Sequence, residues 1–312
     1  MPEMLKPIRL ALLALLIAAG AEAGAAPCPA AGPLSVQVLG SGGPIADDGR
    51  ASTAYLVWID GAARILIDAG GGAFLRYGEA GARFDDLDFI GLSHFHTDHS
   101  ADLPALLKSG FFSRRTRPLP IAGPSGAGRF PGLSGFLSAM LDPERGAYAY
   151  LSGYLDGSGG LVRLEQIEVP NSSASPVALP AASNERFVVE ALSVPHGPVP
   201  ARAFRLRVGE TTLVFASDQN GSNPALVDFA READLLVMHM PVPPDADEVA
   251  RKLHATPEAI GAIAQAAGAK TLLLSHFMAR SLANLDANVG IVQSGYSGRV
   301  IVAEDLLCVP LL

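Results

Sequence analysis

Short apolar runs separated by turns fill the first part of the chain, and later runs alternate with helical stretches. The runs that predict strands lie at 34–40, 53–59, 63–70, 88–94, 118–124, 161–169, 186–194, 203–209, 211–218, 234–240, 271–277 and 299–307. Apolar positions with helical spacing lie at 99–109, 128–141, 225–232 and 256–267. Paired strands followed by strands that alternate with helices predict an α/β fold with two sheets between helical layers.

One large domain is expected from the length and composition. The chain has 312 residues, of which 49% are hydrophobic and 17% charged, a balance that is too apolar for a disordered protein. The least regular part is the segment 142–184, where Gly, Ser and Pro clusters surround the strand at 161–169. We interpret this segment as an irregular insertion or lid-like region and not as a separate domain.

The segment 1–26 has the pattern of a secretory signal peptide. Basic residues precede an apolar stretch at 10–19, and Ala-Glu-Ala at 21–23 fits the small-x-small cleavage pattern. A membrane anchor is the alternative, but about ten apolar residues fall well short of the roughly 20 that span a bilayer. We therefore expect a periplasmic or secreted domain over 27–312, with no stable membrane anchor.

Net charge and cysteine content exclude several classes of protein. The net charge is −8, which argues against a general nucleic-acid binder because such proteins normally carry a basic excess. The two cysteines, Cys28 and Cys308, exclude a disulfide-dense scaffold and any metal site of four thiolates. In an oxidising compartment they predict one disulfide between the two ends of the domain, with two free thiols as the alternative.

Four side chains that can bind metal lie within residues 94–99, where a predicted strand runs into a helix. Alternate residues at the end of an extended strand point the same way, so His94 and His96 can share one metal. The turn into the helix brings Asp98 and His99 to a neighbouring position, where a second metal can bind. Imidazole and carboxylate without thiolate suit zinc, with manganese and iron as alternatives.

Further ligands are expected at the ends of other strands. His196, Asp218 and His276 each follow an apolar run, at the position where loops assemble sites on a rigid scaffold. Each of the three alone would be an ordinary turn residue. Together with the cluster at 94–99 they form a single group of candidate metal ligands.

These motifs resemble those of the metallo-β-lactamase-fold hydrolases, most of all the ribonuclease Z and arylsulfatase branch. The resemblance covers nearly all of 27–312 and is carried by the segments LGSGGP (39–44), IDAG (67–70), SHFHTDHSADLP (93–104), VPHG (194–197), ASD (216–218), LHATPEAI (253–260) and LSHF (274–277). It implies a four-layer αββα sandwich, in agreement with the strand pattern. It also implies two divalent metal ions, the first bound by His94, His96 and His196, the second by Asp98, His99 and His276, with Asp218 bridging both.

The resemblance further implies how such a site would work. Two metals that share a water lower its pKa toward about 7, and the resulting metal-bound hydroxide attacks phosphorus, sulfur or an acyl carbon. Asp98 would hold that water, and Asp68 would orient a ligand histidine. His254 would give a proton or hydrogen bond to the leaving group, the alternative being a surface residue before a helix. Arg280 is a candidate contact for an anionic substrate.

Two features depart from ribonuclease Z. The strand at 234–240 ends in His239-Met240, where those proteins usually have His-Glu, so a proton relay through the glutamate is missing. We expect His239 to be a packed strand-end residue. The segment 142–184 holds two arginines against five carboxylates and lacks the basic character of an arm that grips transfer RNA. A small-molecule substrate is therefore expected, and nucleic acid is not.

The sequence thus favours an exported dinuclear metallohydrolase that acts on a small phosphodiester or sulfate ester. Hydrolysis of a β-lactam or lactone is the alternative among enzymes, because the loops at 72–87 and 110–160 carry no motif that distinguishes these substrates from a phosphodiester or sulfate ester. A non-catalytic metal-binding protein is less favoured, since all the expected ligand positions are filled. A di-iron redox role is also not favoured, because redox di-iron proteins of this fold usually carry Glu at the position of His96. The sequence leaves open the natural substrate, the metal, and whether the protein forms a homodimer.

Overall fold

Two seven-stranded sheets form the centre of the protein. The computed structural model describes Cys28 and residues 31–171 and 175–311, so the predicted signal peptide at 1–26 lies outside the described residues. The first sheet has the order β14-β1-β2-β3-β4-β5-β6, with strands β1 (Leu34–Gly40), β2 (Ala54–Ile59), β3 (Ala62–Ile67), β4 (Phe89–Gly91), β5 (Leu119–Pro124), β6 (Leu164–Val169) and β14 (Cys308–Leu311). The second has the order β13-β12-β11-β10-β9-β8-β7, with strands β7 (Val177–Ala178), β8 (Val188–His196), β9 (Val199–Val208), β10 (Thr211–Phe215), β11 (Leu235–His239), β12 (Thr271–Ser275) and β13 (Arg299–Val302).

Helices cover the outer face of each sheet, which confirms the predicted αββα sandwich. The helices are α1 (Ala73–Glu79), α2 (Thr97–Ser100), α3 (Leu103–Gly110), α4 (Leu133–Leu141), α5 (Gly153–Asp156), α6 (Ala225–Phe229), α7 (Glu248–Leu253), α8 (Pro257–Ala267), α9 (Ala279–Leu282) and α10 (Leu285–Gly295). Strand β2 shows why the layers form, since every one of its side chains is buried. Tyr55 and Val57 belong to the core between the sheets, whereas Leu56 and Trp58 belong to the core under the helices. Alternate side chains of one strand thus serve both cores.

Residues 142–184, which we expected to be an irregular insertion, connect the two sheets. Strand β6 pairs in parallel with β5 at the edge of the first sheet, and β7 pairs with β8 at the edge of the second. This segment is therefore part of the framework of the fold, because its strands complete both sheets.

The carboxyl-terminal strand also differs from the expectation. The apolar run at 299–307 begins as β13 in the second sheet, and the chain then crosses to the first sheet as β14, which pairs with β1. Cys308 opens β14 and forms a disulfide with Cys28, so the predicted disulfide is confirmed. Within the described residues, no helix has both the length and the apolar character needed to cross a bilayer.

Candidate metal centre

Strand ends from both sheets meet at one edge and carry the polar residues of a buried site. Residues 93–99 come from the first sheet, where the chain leaves β4 and enters α2. In the second sheet β10, β11 and β12 run parallel, so their carboxyl ends lie at the same edge. His196 ends β8, while Asp218 and His276 lie in the loops after β10 and β12.

The first cluster of ligand atoms consists of His94, His96, His196 and Asp218, whose ligand atoms lie within 4.8 Å of one another. His96 Nδ1 is 3.0 Å from His94 Nε2 and 3.4 Å from His196 Nε2. His196 Nε2 is 3.6 Å from Asp218 Oδ2. Two ligands of one tetrahedral zinc ion, each at about 2.1 Å, are separated by roughly 3.4 Å, so this spacing suits a single ion.

The second cluster lies on the other side of Asp218 and contains His99, His276 and Asp98. His276 Nε2 is 3.1 Å from Asp218 Oδ1 and 3.2 Å from Asp98 Oδ2. It is also 3.2 Å from His99 Nε2. Asp218 therefore has oxygens facing both clusters, as a bridging carboxylate requires. The structure brings together all the residues that the sequence analysis proposed as ligands, and their binding of metal stays a prediction.

Hydrogen bonds on the far side of two histidines aim their other nitrogens into the site. His196 Nδ1 lies 2.9 Å from the carbonyl oxygen of Leu253, which can only accept, so Nδ1 carries the proton. His99 Nδ1 lies 2.8 Å from Asp68 Oδ2. Asp68 also accepts hydrogen bonds from the amide and hydroxyl of Ser93. Contacts of this kind fix the tautomer of a ligand histidine and leave Nε2 free for a metal.

His239 has a polar role that the sequence analysis missed. It is buried, as expected for a strand-end residue, but both of its ring nitrogens have partners. Nδ1 is 2.6 Å from Asp218 Oδ1, and Nε2 is 3.0 Å from the hydroxyl of Tyr55. With both nitrogens occupied, the ring is placed to orient Asp218. Its position at the end of β11, beside the strand that leads to His276, was the available sequence signal.

Burial and neighbouring charge perturb the pKa values of the cluster in opposite directions. Burial lowers the pKa of His94 well below its usual value and that of His239 to about 4. Burial also disfavours protonated His276, but the charge of Asp218 and the hydrogen bonds with Asp218 and Asp98 together outweigh it and raise the ring pKa to about 9. Although burial disfavours ionised Asp218, the surrounding histidines, His276 first, hold its pKa well below the usual range.

The donor set fits divalent metal ions. Buried carboxylates need positive charge close by, and without a metal the ring of His276 supplies it. The ligand atoms in both clusters are imidazole nitrogens and carboxylate oxygens, which suit zinc and similar ions. Such a cation would replace the proton on His276, since a ligand imidazole binds in its neutral form.

The backbone around the site is unusually constrained. Asp68, Ser217 and His276 adopt left-handed conformations, with φ of 60°, 60° and 56°. Each such residue costs about 1–3 kcal/mol, and this kind of strain concentrates at functional sites. Gly70 permits a close approach, because a Cβ there would lie 2.2 Å from the carbonyl oxygen of Asp98. The glycine of the IDAG segment is thus required for the helix that carries Asp98 to pack where it does.

An open cleft of about 510 Å³ leads to both clusters. His254 lines this cleft, where its ring centroid is 5.2 Å from that of His196 and its Nδ1 is 3.8 Å from Asp218 Oδ2. Arg280 also lines the cleft and donates a hydrogen bond from Nε to the carbonyl of Pro241. Both residues therefore lie where a substrate would enter.

Comparison with known sequences identifies the family of the chain. The family described as the beta-lactamase superfamily domain matches residues 63–277. Ribonuclease Z of Methanosarcina acetivorans is 28% identical over 302 residues, covering 88% of this chain and 97% of the relative. Ribonuclease Z of Mycobacterium bovis is 28% identical over 286 residues, covering 88% of this chain and 96% of the relative.

Solved structures show the same fold at lower sequence identity. The metallo-β-lactamase fold protein YhfI from Bacillus subtilis matches with a TM-score of 0.67 and 22% identity, covering 88% of this chain and 98% of that protein. The short form of human tRNase Z matches with a TM-score of 0.66 and 21% identity, with the same coverage of both chains.

These relatives correct one expectation from the sequence. We expected nucleic acid not to be a partner, and that expectation is wrong, because the similar proteins are ribonucleases by name. Net charge is a sum over the whole surface, whereas contact with a phosphate backbone depends on local charge, so a total of −8 does not exclude RNA. From the match over 63–277 and the shared fold, the chain belongs to the beta-lactamase superfamily and has the metallo-β-lactamase fold.

Proposed function

We propose that the protein is a phosphodiesterase that depends on two divalent metal ions and that RNA is among its substrates. The observation that carries this proposal is the pair of ligand clusters joined by Asp218 at the floor of an open cleft. Two-metal sites are suited to phosphodiesters because they neutralise charge on both the attacking and the leaving oxygen. The similarity to ribonuclease Z supports a phosphodiester over a β-lactam or lactone.

The proposed metal is zinc. His94, His96 and His196 would hold one ion, and His99, His276 and Asp98 the other, with Asp218 shared. When bound, the ions would supply Lewis-acid chemistry and lower the pKa of a water molecule toward about 7.

Asp98 and His254 have separate proposed roles in this reaction. Asp98 lies at the open side of the second cluster and lines the cleft, where its carboxylate can accept a hydrogen bond from water and orient it. His254 is 8% exposed, and burial lowers its pKa to about 3, so its ring is neutral near pH 7. A neutral imidazole still donates an N–H hydrogen bond, which would stabilise charge on the leaving oxygen.

Export of the protein is also part of the proposal. The disulfide between Cys28 and Cys308 supports it, because such bonds persist mainly in oxidising compartments. The apolar pattern at 10–19 supports it independently. Expression with a fusion at Leu312, followed by fractionation, should recover the protein from the periplasm or medium. Retention in the cytoplasm would contradict export without touching the proposed chemistry.

A substrate panel tests the proposed activity. The purified chain, loaded with zinc or manganese, is assayed on bis(p-nitrophenyl) phosphate, a labelled RNA, an aryl sulfate, nitrocefin and a lactone. Both phosphodiesters should be hydrolysed, and Asp218→Ala should abolish this because both clusters lose a ligand. The matched control is Asp228→Ala, an exposed aspartate on α6, which should retain full activity. A fully metal-loaded protein that hydrolyses neither phosphodiester would refute the proposal.

A further inference from the structure

A second pocket opens beside the metal cleft. It has a volume of about 210 Å³, and its walls are mainly aromatic and apolar, from Phe95, Phe130, Phe136 and Pro200. Phe95 and His96 line both this pocket and the metal cleft, so the two spaces share a wall. We call it the aromatic pocket. An ester bound at the first ligand cluster would therefore be able to place one of its groups in this pocket.

The floor of the aromatic pocket is a stacked pair of rings. Phe95 lies between the ligands His94 and His96, and its ring stacks on that of Phe136 with centroids 4.3 Å apart and planes 7° from parallel. Gly123 of β5 makes room for this arrangement, since a Cβ there would lie 3.1 Å from the Phe95 ring. Phe136 is carried by α4, which buries Leu133 and other leucines on its inner face. The stack is thus fixed by the scaffold.

Phe130 is positioned by a tight turn. The amide of Ala127 donates to the carbonyl of Phe130, and the amide of Phe130 donates back to Ala127, at 3.0 and 2.9 Å. The guanidinium of Arg129 lies 5.4 Å from the centre of the Phe130 ring and is exposed to solvent. The rings of Phe95, Phe130 and Phe136 are only partly buried, so their surfaces are open to a ligand.

We propose that the aromatic pocket binds a planar aromatic ring joined to the scissile ester, either a nucleobase or an aryl group. This inference rests on the proposed phosphodiesterase function and names the class of substrate. An apolar cavity of about 150 Å³ accommodates benzene, so 210 Å³ is enough for a ring of this kind. Stacking of a base on an aromatic side chain contributes about 1–3 kcal/mol, or roughly 5- to 150-fold in binding. A protein or lipid partner fits poorly, because the space is small, concave and continuous with the metal cleft.

Two esters with the same leaving group test the proposal in kinetics. Phenyl p-nitrophenyl phosphate and methyl p-nitrophenyl phosphate share the p-nitrophenyl leaving group and differ only in the second ester group, phenyl against methyl. We expect kcat/KM to be at least five times higher for the phenyl ester, and Phe136→Ala to reduce this ratio at least threefold. Phe136→Tyr keeps a stacking ring and should retain the ratio. Phe112→Ala is the matched control, since Phe112 is 73% exposed and lies outside the pocket.

Binding measurements separate this inference from the proposed function. Calorimetry on the metal-loaded protein compares phenyl phosphate with methyl phosphate, and AMP with ribose 5-phosphate. Tighter binding of either aromatic ligand, lost in Phe136→Ala, supports the pocket even if no ester is hydrolysed. A preference for AMP identifies a nucleobase, and a preference for phenyl phosphate identifies an aryl group. Equal binding within each pair, with both esters hydrolysed at equal rates, would overturn the inference and leave the phosphodiesterase function standing.

Discussion

The chain of contacts from Tyr55 through His239 to Asp218 makes a sharp prediction for the variant Tyr55→Phe. Burial raises the pKa of the Tyr55 hydroxyl above its ordinary value, so it keeps its proton and donates to His239 Nε2. Nδ1 then carries the single proton of the neutral ring and donates a hydrogen bond to Asp218 at 2.6 Å. Removing the hydroxyl leaves Nε2 buried without a partner and frees the ring to change tautomer or rotate.

The size of the effect follows from these contacts. A buried acceptor left without a partner costs about 1–3 kcal/mol, which should appear as a loss in the free energy of unfolding. The change in His239 also loosens Asp218, the carboxylate shared by both clusters. Loss of a partner that orients a ligand typically lowers metal affinity 10- to 100-fold, and we expect a change of about that size for Tyr55→Phe.

The assay pairs two measurements with a matched variant. Urea unfolding of the metal-free protein gives stability, and competition with a zinc-binding dye gives affinity. Tyr154→Phe is the control, because Tyr154 is equally buried and its hydroxyl donates to the carbonyl of Leu107 at 2.8 Å, away from the site. Both variants should lose stability, but only Tyr55→Phe should lose zinc affinity. Equal zinc affinity in both would show that His239 is merely packed, and the reasoning would be refuted.

Three further predictions concern Asp68, the disulfide and the titration of His276. Asp68→Asn should lower zinc affinity 10- to 100-fold, measured by dye competition. The carboxylate of Asp68 accepts a hydrogen bond from His99 Nδ1, and a neutral amide would hold that ring less strongly. Replacing Cys28 and Cys308 by Ser should lower the free energy of unfolding by about 2–5 kcal/mol, with reduced wild type as the comparison in urea titrations. In the chelated protein, Asp218 and Asp98 together outweigh the effect of burial and raise the His276 pKa to about 9, from an ordinary 6.5. Its contribution to stability is full below about pH 6.5 and is lost as the pH rises through 9, so urea midpoints should fall across this window. A similar fall with zinc bound would contradict that assignment.

Local spacing accounts for what could be predicted from the sequence. The cluster at 94–99 is visible because four candidate ligands lie within one strand end and one helical turn. The other ligands each end an apolar strand, so their positions follow from the strand pattern. By contrast, one of the two hydrogen-bond partners of His239 is Tyr55, 184 residues away, and no local signal connects them. The aromatic pocket was missed for the same reason, since Phe95 meets Phe130 and Phe136 only after β5 and α4 have packed.

The fold itself shows the same division between local and distant information. Helical spacing at 256–267 corresponds to α8 (Pro257–Ala267), because an amphipathic helix is determined by residues three and four apart. The run at 299–307 gave no indication that the chain changes sheets between Val302 and Cys308. The strand predicted at 161–169 corresponds to β6, but its pairing with β5 was not indicated, because that pairing depends on residues about 45 positions earlier. Strand pairing over such distances is set by tertiary packing, which a single sequence does not reveal.

The site joins the two sheets, and this links metal binding to the stability of the whole fold. The first sheet supplies residues 94–99, while the second supplies His196, Asp218 and His276. The sheets already meet here through the amide of Arg202 in β9, which donates to the carbonyl of Ser93 at 2.9 Å. Metals held by ligands from both sheets would therefore resist their separation, and metal binding would add to the free energy of unfolding by mass action. Conversely, a core substitution that shifts one sheet against the other would move the proposed ligands of one sheet relative to those of the other, so it should weaken metal binding without touching a ligand.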